Sequence, residues 1–460
     1  MTQVLIIGGS DAGISAALRI REMAPDATVT VMLADDYPNF SICGLPFYLS
    51  GEVNDWRNLA HRTKEDILCE GIQLLTQHHA TAIDSAQKLV TAIDSKGETI
   101  QVPYDRLILG TGATSRHPRI DGIDLPGVYF LRWMGDSFKI HEHLITRNPT
   151  SAVVIGGGYI GLEMADALTI KGIKVTLVEH SPRVLKTVHD SFGERVEDEL
   201  KQHGLNVFTG IGVEQIEQVG DQLRVVGSPN FSTKADLVLV AVGAIPATEL
   251  AETAGITLGI GRAVEVNQRM ETNVPDIYAA GDCVHTWHQL LQKPVYLPLG
   301  TTAHKQGRVA GENAVGGQRD YQGTLGTQAV KVFELAVART GLREAEAKDA
   351  GYEPLTAAFE TWDHKVYYPG AHPIQIRITG DRNTKLLLGA QIISHYQGAI
   401  AKRVDIFASA IFHRMTVDQI SDLDLSYTPP LSSPWDPVQM ATQAWCKEAA
   451  RLEQSAVSVV

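Results

Sequence analysis

"SAVVIGGGYIGLEMADALTIKG" (residues 151–172), followed by "KVTLVEH" (174–180), decides the fold. The opening apolar run has no polar alternation, so it reads as a strand buried on both faces. A glycine turn follows, then a helical stretch without breakers, then a second β-branched strand. Gly156, Gly158 and Gly161 satisfy G-x-G-x-x-G between that strand and that helix. The first glycine permits the tight turn, the second lets backbone approach a pyrophosphate, and the third lets the helix pack close. The phosphate then meets the positive end of the helix, beside Tyr159 and Ile160. Glu179 closes the second strand, 23 positions after Gly156. A carboxylate there accepts from the 2′-OH of an NAD ribose and repels the 2′-phosphate of NADP, while Arg183 nearby pulls the other way. NADH is therefore favoured slightly over NADPH.

The same grammar opens the chain. "QVLIIGGSDAGISAALRIRE" (3–22) is a strand, a glycine turn and a helix, and "ATVTVML" (27–33) is the next strand. The turn is looser, with Gly8 and Gly13 in place and Ser10 in the middle position. Leu33 stands where the ribose acid belongs, with Asp35 and Asp36 just beyond. "TNVPDIYAAGDCV" (272–284) supplies a strand ending in Gly281-Asp282, which can aim a carboxylate at a sugar or ribitol hydroxyl. Two β-Gly-α-β units predict two Rossmann-like dinucleotide-binding domains in an α/β chain. From about residue 321 the pattern changes. "QAVKVFELAVARTGL", "HPIQIRITGD" and "KLLLGAQIIS" read as antiparallel strands and "GAIAKRVDIFASAIFHRM" as a helix, a third, α+β domain.

The 460 residues leave room for about three domains. A formal net charge of -13 excludes a nucleic-acid footprint. No apolar run has the length of a membrane span, and "MTQVLIIGG" lacks the pattern of a secretion signal. The four cysteines (43, 69, 283, 446) follow no disulfide or zinc spacing. The expectation is a cytoplasmic protein with reduced thiols and no metal. "HTWH" (285–288) and "HEH" (141–143) lack the companions of a metal site and read as surface or helix-side histidines.

Together, "IIGGSDAG", "LILGTGAT", "VVIGGGYIGLE", "LVAVGAIP", "IYAAGDCV" and "HKQGRVAG" stand in the order seen in the pyridine nucleotide-disulfide oxidoreductases, which the chain resembles over nearly its whole length. The resemblance implies an FAD-binding domain from 1–114 and 247–320, an NAD(P)-binding domain from 115–246, and a C-terminal α+β dimerisation domain from 321–460. It places FAD at Gly8, Ser10, Asp11, Ala12, Gly13, Asp35, Thr111, Gly112, Ala113, Gly281, Asp282, Thr302 and Ala303, and adds Glu163 and Gly243 to the nicotinamide nucleotide site. Tyr159 would act as a lid over the flavin and Glu163 would position the nicotinamide; simple packing of that helix is the alternative.

"NFSICGLPFY" (39–48) selects a branch. Tyr48 stands where the two-cysteine members carry their second cysteine, so the chain resembles the single-cysteine branch of coenzyme A-disulfide reductase, NADH oxidase and NADH peroxidase. That implies Cys43 as redox nucleophile at a helix start beside the flavin, its thiol acidified by the helix end, with Pro46 in the first turn. Cys69, Cys283 and Cys446 read as structural. "VYYPG" (366–370) and "LSYTPPLSSPWDP" (425–437) resemble segments whose tyrosines enter the partner subunit's active site, which makes Tyr367, Tyr368 and Tyr427 catalytic candidates in a homodimer. Three departures bear on the acceptor. Asp11 replaces the histidine of oxidases and peroxidases; Ile42 replaces an asparagine; "LCEGIQL" (68–74) lacks a lysine for a coenzyme A phosphate. Arg19 and Arg21 remain as anion partners or as a solvated helix face. The implied activity is NAD(P)H-dependent reduction of a small disulfide, persulfide or related sulfur compound; an oxidase or peroxidase using a cysteine sulfenate, or an electron-transfer reductase serving a redox protein, are the alternatives.

Overall fold

The computed structural model describes residues 1–457. Gln3–Ile7 is the middle strand of a five-stranded parallel sheet ordered Ile277–Ala279, Arg106–Leu109, Gln3–Ile7, Thr28–Met32, Ile72–Leu75. A parallel sheet is covered on both faces, which is why Val4 to Ile7 are all buried and show no alternation. Helix α1 (Asp11–Met23) leaves the first strand at the glycine turn. The last strand of this sheet arrives only after an excursion from residue 109 to 277, and that excursion builds a second sheet.

The second sheet is also parallel, ordered Asn206–Thr209, Lys174–Glu179, Ser151–Ile155, Leu237–Val240, Val128–Phe130. Its helix α3 (Tyr159–Ile170) follows the second glycine turn. In both sheets the glycine-bearing strand lies where the strand order reverses, so a crevice opens beyond the strand ends. The helix after Cys43, α2 (Leu45–Ser50), packs across the domain boundary on α3. Helix α4 (Gly300–Ala314) packs along α1. That approach needs Gly307 and Gly311, because a Cβ there would meet Ala12 O at 2.2 Å and Ala16 O at 2.4 Å.

The third sheet is antiparallel: Gln328–Val332, Leu335–Gly341, Leu387–His395, Pro373–Asp381, Pro354–Trp362. Helix α5 (Ile400–Phe412) buries Ile400, Val404, Phe407 and Ile411 against it, one stripe at helical spacing. Helix α6 (Pro437–Val457) is anchored by Trp445, fully buried, whose Nε1–H donates to Leu355 O at 2.7 Å. This domain presents an apolar surface from its two aromatic loops: Tyr367 is 71% exposed, Leu431 74% and Trp435 67%. Among the described residues no helix is long and apolar enough to cross a membrane.

The histidines of 285–288 differ from expectation. His285 and His288 are buried, not at the surface: His285 Nε2 lies 2.9 Å from Val266 O, and burial pushes His288 down to about 4. The strand Thr286–His288 pairs with Lys293–Val295, and His288 also bridges to Thr324.

Candidate active site

The loop carrying Cys43 is tied to the first glycine turn. Asn39 N–H donates to Gly9 O at 2.7 Å, His61 N–H to Asn39 O at 2.9 Å, and Ser41 N–H to Leu59 O at 2.8 Å. Cys43 sits in a 3-10 turn, Ile42–Gly44, directly before α2, with Pro46 in the first turn of that helix. Tyr48 does not point back at the sulfur's turn as a second redox group; it stacks on His141 at 5.1 Å. Cys43 is exposed, but protein surrounds much of its side chain and partly desolvates the sulfur. That desolvation pushes its thiol up from the ordinary value; the carboxylates of Glu163, Asp11 and Asp282 push the same way, and Arg132 opposes them. The expected acidification is therefore not supplied by the polypeptide. Burial is the largest cause of the rise, and the three carboxylates add to it.

The two glycine turns share one geometry. A Cβ on Gly13 would lie 1.9 Å from Gly8 O, and one on Gly161 would lie 1.9 Å from Gly156 O, so each helix abuts its own strand backbone. Ser10 and Gly158, the N-cap residues of α1 and α3, make no side-chain cap bond, and a Cβ on Gly158 would meet nothing within 4 Å. Uncapped helix N–H groups at each turn, with open space beside Gly158 at the second, fit a pyrophosphate.

On the first domain, Ala12, Gly281 and Ala303 converge: a Cβ on Gly281 would lie 2.8 Å from that of Ala12 and 3.5 Å from that of Ala303. Gly281 N–H donates to Gln306 Oε1 at 3.0 Å, and Gln306 Nε2 is buried with no partner, an orphan donor that fits a bound polar cofactor. Thr302 is buried beside Ala303. Thr111 Oγ1 donates to Ala247 O at 2.7 Å, next to Gly112, and Ala113 O accepts from Arg132 Nε at 3.1 Å. Asp282 Oδ2 is paired with Arg132, whose Nη2 lies 2.5 Å away. Asp35 accepts from Tyr37 N–H at 3.0 Å, and burial raises its pKa; Asp36 is taken by Lys64.

On the second domain, Glu179 accepts from Gly157 N–H and Ser181 N–H, each at 2.6 Å, and so braces the glycine turn. Arg183 points to Glu194 at 2.6 Å and Glu197 at 3.8 Å. Gly243 has a positive φ and open space where a Cβ would stand; Ile160 is exposed at the helix start. Tyr159 is tied to Thr187 Oγ1 at 3.1 Å. Glu163, one turn on, is raised to about 7 by burial, with Asp166 adding to the rise and Lys331 opposing it. Asp166 itself accepts from Phe333 N–H at 2.9 Å and lies 3.3 Å from Lys331 Nζ, joining the second domain to the third.

A cavity of about 1040 Å³ opens between α1, α4 and the 61–62 segment, lined by Asp11, Ser15, Glu22, Asn39, His61, Arg62, Glu70, His304, Lys305 and Arg308 among others, with Arg308 paired to Glu22 at 3.2 Å. Its cationic side comes from residues to which the sequence assigns no anion-binding role. A lysine was sought in 68–74; the charges instead come from "HR" at 61–62 and from His304, Lys305 and Arg308, whose spacing puts His304 and Arg308 on one face of α4. Of the two arginines on α1, Arg19 is neutralised by Glu22 and Glu312, at 2.7 and 2.6 Å. Arg21 lines the cavity with its guanidinium bonded to the carbonyls of Glu70, Pro25 and Ala27. Tyr367, Tyr368 and Tyr427 are all exposed on the third domain.

Two parallel sheets, each with an uncapped helix at a glycine turn, and a third antiparallel domain define a flavin- and nicotinamide-dependent oxidoreductase of the two-nucleotide-domain type. The chain belongs to the pyridine nucleotide-disulphide oxidoreductase family, whose model matches residues 2–307, with the family's dimerisation domain at 327–437. It is an NAD(P)H-dependent flavoprotein enzyme. The NAD(P)H sulfur oxidoreductase (CoA-dependent) of Pyrococcus furiosus is 34% identical over 437 residues, covering 95% of this chain and 97% of that one. The NAD-dependent persulfide reductase from A. fulgidus superposes with a TM-score of 0.93 at 37% identity, over 98% of this chain and 84% of that one. The water-forming NADH oxidase from Lactobacillus brevis superposes with a TM-score of 0.92 at 27% identity, over 98% and 99%.

Proposed function

We propose that this enzyme reduces a small disulfide or persulfide that carries a phosphate-bearing anionic group, such as a disulfide of coenzyme A, with Cys43 as the attacking sulfur. The observation that carries the reading is the pairing of an accessible cysteine with a cation-lined cavity across Asp11, which lies within electrostatic reach of both. FAD, when bound, supplies the two-electron link between NAD(P)H and that sulfur. The chain's own residues hold it in a domain made of 1–114 and 247–320, with NAD(P)H on 115–246 and dimer contacts from 321–460. The first turns of α1 and α3 take the two pyrophosphates. The phosphate-bearing end of the substrate lies among Arg62, Lys305 and Arg308, which leaves its sulfur toward Cys43. The exposed apolar loops seal against a second copy in a homodimer and deliver Tyr367, Tyr368 and Tyr427 to the neighbouring active site. Such an enzyme works in the cytoplasm, where free thiols are the normal state.

The test is anaerobic. NADH is expected to be oxidised on addition of coenzyme A disulfide, with two thiols released per NADH. An enzyme that ignores disulfides and persulfides, while consuming NADH and oxygen at a steady rate, is an oxidase and overturns this reading.

The nicotinamide choice follows from Glu179. A 2′-phosphate would meet this carboxylate at the strand end, while Arg183 is engaged by two glutamates. We expect kcat/KM for NADH to exceed that for NADPH by about tenfold or more, and Glu179→Ser to close most of that gap. Equal efficiencies in the wild-type enzyme would show that Arg183 swings free to take the phosphate.

A further inference from the structure

We infer that the third domain sets the position of Tyr159, and with it the entry of NAD(P)H, through Arg339, Arg343 and Gln391, which clamp the 185–189 loop that tethers the tyrosine. The inference rests on the placement of NAD(P)H at the second glycine turn and stands whichever acceptor the enzyme serves. The loop lies between the strand Lys174–Glu179 and the helix Asp190–Gln202. At one end it holds the glycine turn, where Leu185 N–H donates to Gly157 O at 2.8 Å. In its middle it holds the tyrosine, with Thr187 Oγ1 at 3.1 Å from Tyr159 Oη. Its backbone is gripped from the third domain. Arg343 Nη1 donates to Lys186 O at 2.9 Å and to Val188 O at 3.3 Å; Arg339 Nη1 donates to Thr187 O at 2.5 Å; His189 N–H donates to Gln391 Oε1 at 2.6 Å. Four consecutive residues, 186 to 189, thus bond to one neighbouring domain. Leu185 takes a φ of 51°, a left-handed conformation that a leucine keeps only where its surroundings impose it.

The clamp is fixed at its source. Arg339 is buried on the strand Leu335–Gly341, with Nη2 donating to Gly341 O at 2.6 Å and to Glu346 Oε2 at 2.8 Å. Arg343 Nη2 meets the other oxygen, Glu346 Oε1, at 2.9 Å. Burial pushes the Glu346 carboxyl up, but the two arginines overcome it and hold the group down to about 2, so the carboxylate stays charged at any working pH. At the far end of the chain of bonds, Tyr159 opens α3 directly after Gly158, and its ring packs on the apolar cluster that holds Leu45 and Tyr48 of α2. The nicotinamide of a nucleotide held at Gly158 crosses that boundary to reach a flavin on the first domain. The ring stands on the path and swings aside for entry, which breaks the bond to Thr187. A tether on a free loop would follow the ring; a tether on a clamped loop does not. The clamp therefore keeps the path closed for most of the time and weakens the apparent affinity for NAD(P)H by the fraction of molecules that are open.

The experiment follows anaerobic reduction of the FAD-loaded enzyme by NADH in a stopped-flow instrument, which gives an apparent Kd for NADH and a limiting rate of flavin bleaching. Arg343 is half-buried, so Arg343→Met removes the bonds to Lys186 and Val188 at a site that tolerates the exchange. It is expected to lower the apparent Kd about threefold or more, with the limiting rate within about twofold of the wild type. Thr187→Val cuts the tether itself and is expected to lower the apparent Kd about fivefold. Both act through one bond, so the double variant is expected to match Thr187→Val alone. Arg339→Lys keeps a cation beside Glu346 while loosening the grip on Thr187, and is expected to shift the apparent Kd in the same direction. Flavin content and thermal melting show that each variant is folded. An Arg343→Met enzyme with an unchanged apparent Kd, or one that binds NADH more weakly and adds to the effect of Thr187→Val, would overturn the inference. A wild-type flavin that NADH does not reduce would overturn the nucleotide placement itself.

Discussion

Replacing Cys43 by serine is expected to remove disulfide turnover, by at least about 10³-fold in kcat, while FAD stays bound and NADH still bleaches it. The argument is local. A hydroxyl is not ionised at neutral pH and forms no disulfide, so neither the attack nor the mixed disulfide survives the exchange of sulfur for oxygen. The fold has little reason to object. Cys43 is exposed, lies in a three-residue 3-10 turn, and its backbone position is fixed by bonds from Asn39, Ser41 and His61 that do not involve the sulfur. The flavin absorbance and the anaerobic bleaching by NADH measure the intact half of the cycle; thiol release measures the lost half. Turnover of coenzyme A disulfide at the wild-type rate would remove Cys43 from the mechanism and leave electron transfer to a redox protein as the better account. A pH profile adds a check on the thiol itself. Desolvation and carboxylates raise the Cys43 pKa, so in the enzyme with its cysteine reduced, alkylation by iodoacetamide is expected to quicken as pH rises above neutrality, in proportion to thiolate.

Gly161→Val is expected to abolish NAD(P)H oxidation, with kcat/KM down by about 100-fold or more, and to leave FAD binding in place. A Cβ at this position would lie 1.9 Å from Gly156 O and 3.0 Å from its carbonyl carbon. These are backbone atoms of the glycine turn that ends the preceding strand, so no flexible side chain is available to move aside. The helix must slide away from the strand, and the N–H groups that receive the pyrophosphate go with it. FAD binding is spared because the first sheet has its own glycine turn and its own helix. Measurement of flavin content together with reduction by NADH and by dithionite separates the outcomes. Bleaching by dithionite with none by NADH is the expected pattern. A variant as active as the wild type would show that the helix–strand approach has slack that the backbone distances deny.

The glycine turns illustrate what the chain declares locally. A turn, the strand before it and the helix after it lie within about twenty residues, and strand–turn–helix chemistry acts over that distance. The parallel sheets were legible for the same reason: a strand buried on both faces must be apolar throughout. The cavity was not legible. Its cations come from segments at 61–62 and 304–308, and what joins them is the packing of α4 along α1, which depends on two glycines whose purpose appears only when the helices meet. The same holds for Arg132, which the glycine motifs do not predict and which holds Asp282 from a segment 150 residues away.

The reactivity of Cys43 shows the limit most plainly. Sequence placed the cysteine before a short helix, and the structure agrees; sequence also expected that helix to acidify the thiol, and the structure does not. A dipole is a local property and can be inferred from the neighbours in the chain. Desolvation and the fields of Glu163, Asp11 and Asp282 are sums over atoms from three separate stretches, and they decide the sign. The amino-acid order by itself therefore determined the two nucleotide domains and the third domain, because each is written in short-range periodicity and turn chemistry, while the place of the sulfur came from the family resemblance. Only the tertiary structure decided the charge around that sulfur and the cavity beside it, because electrostatics and shape are set by which distant segments come to share a surface.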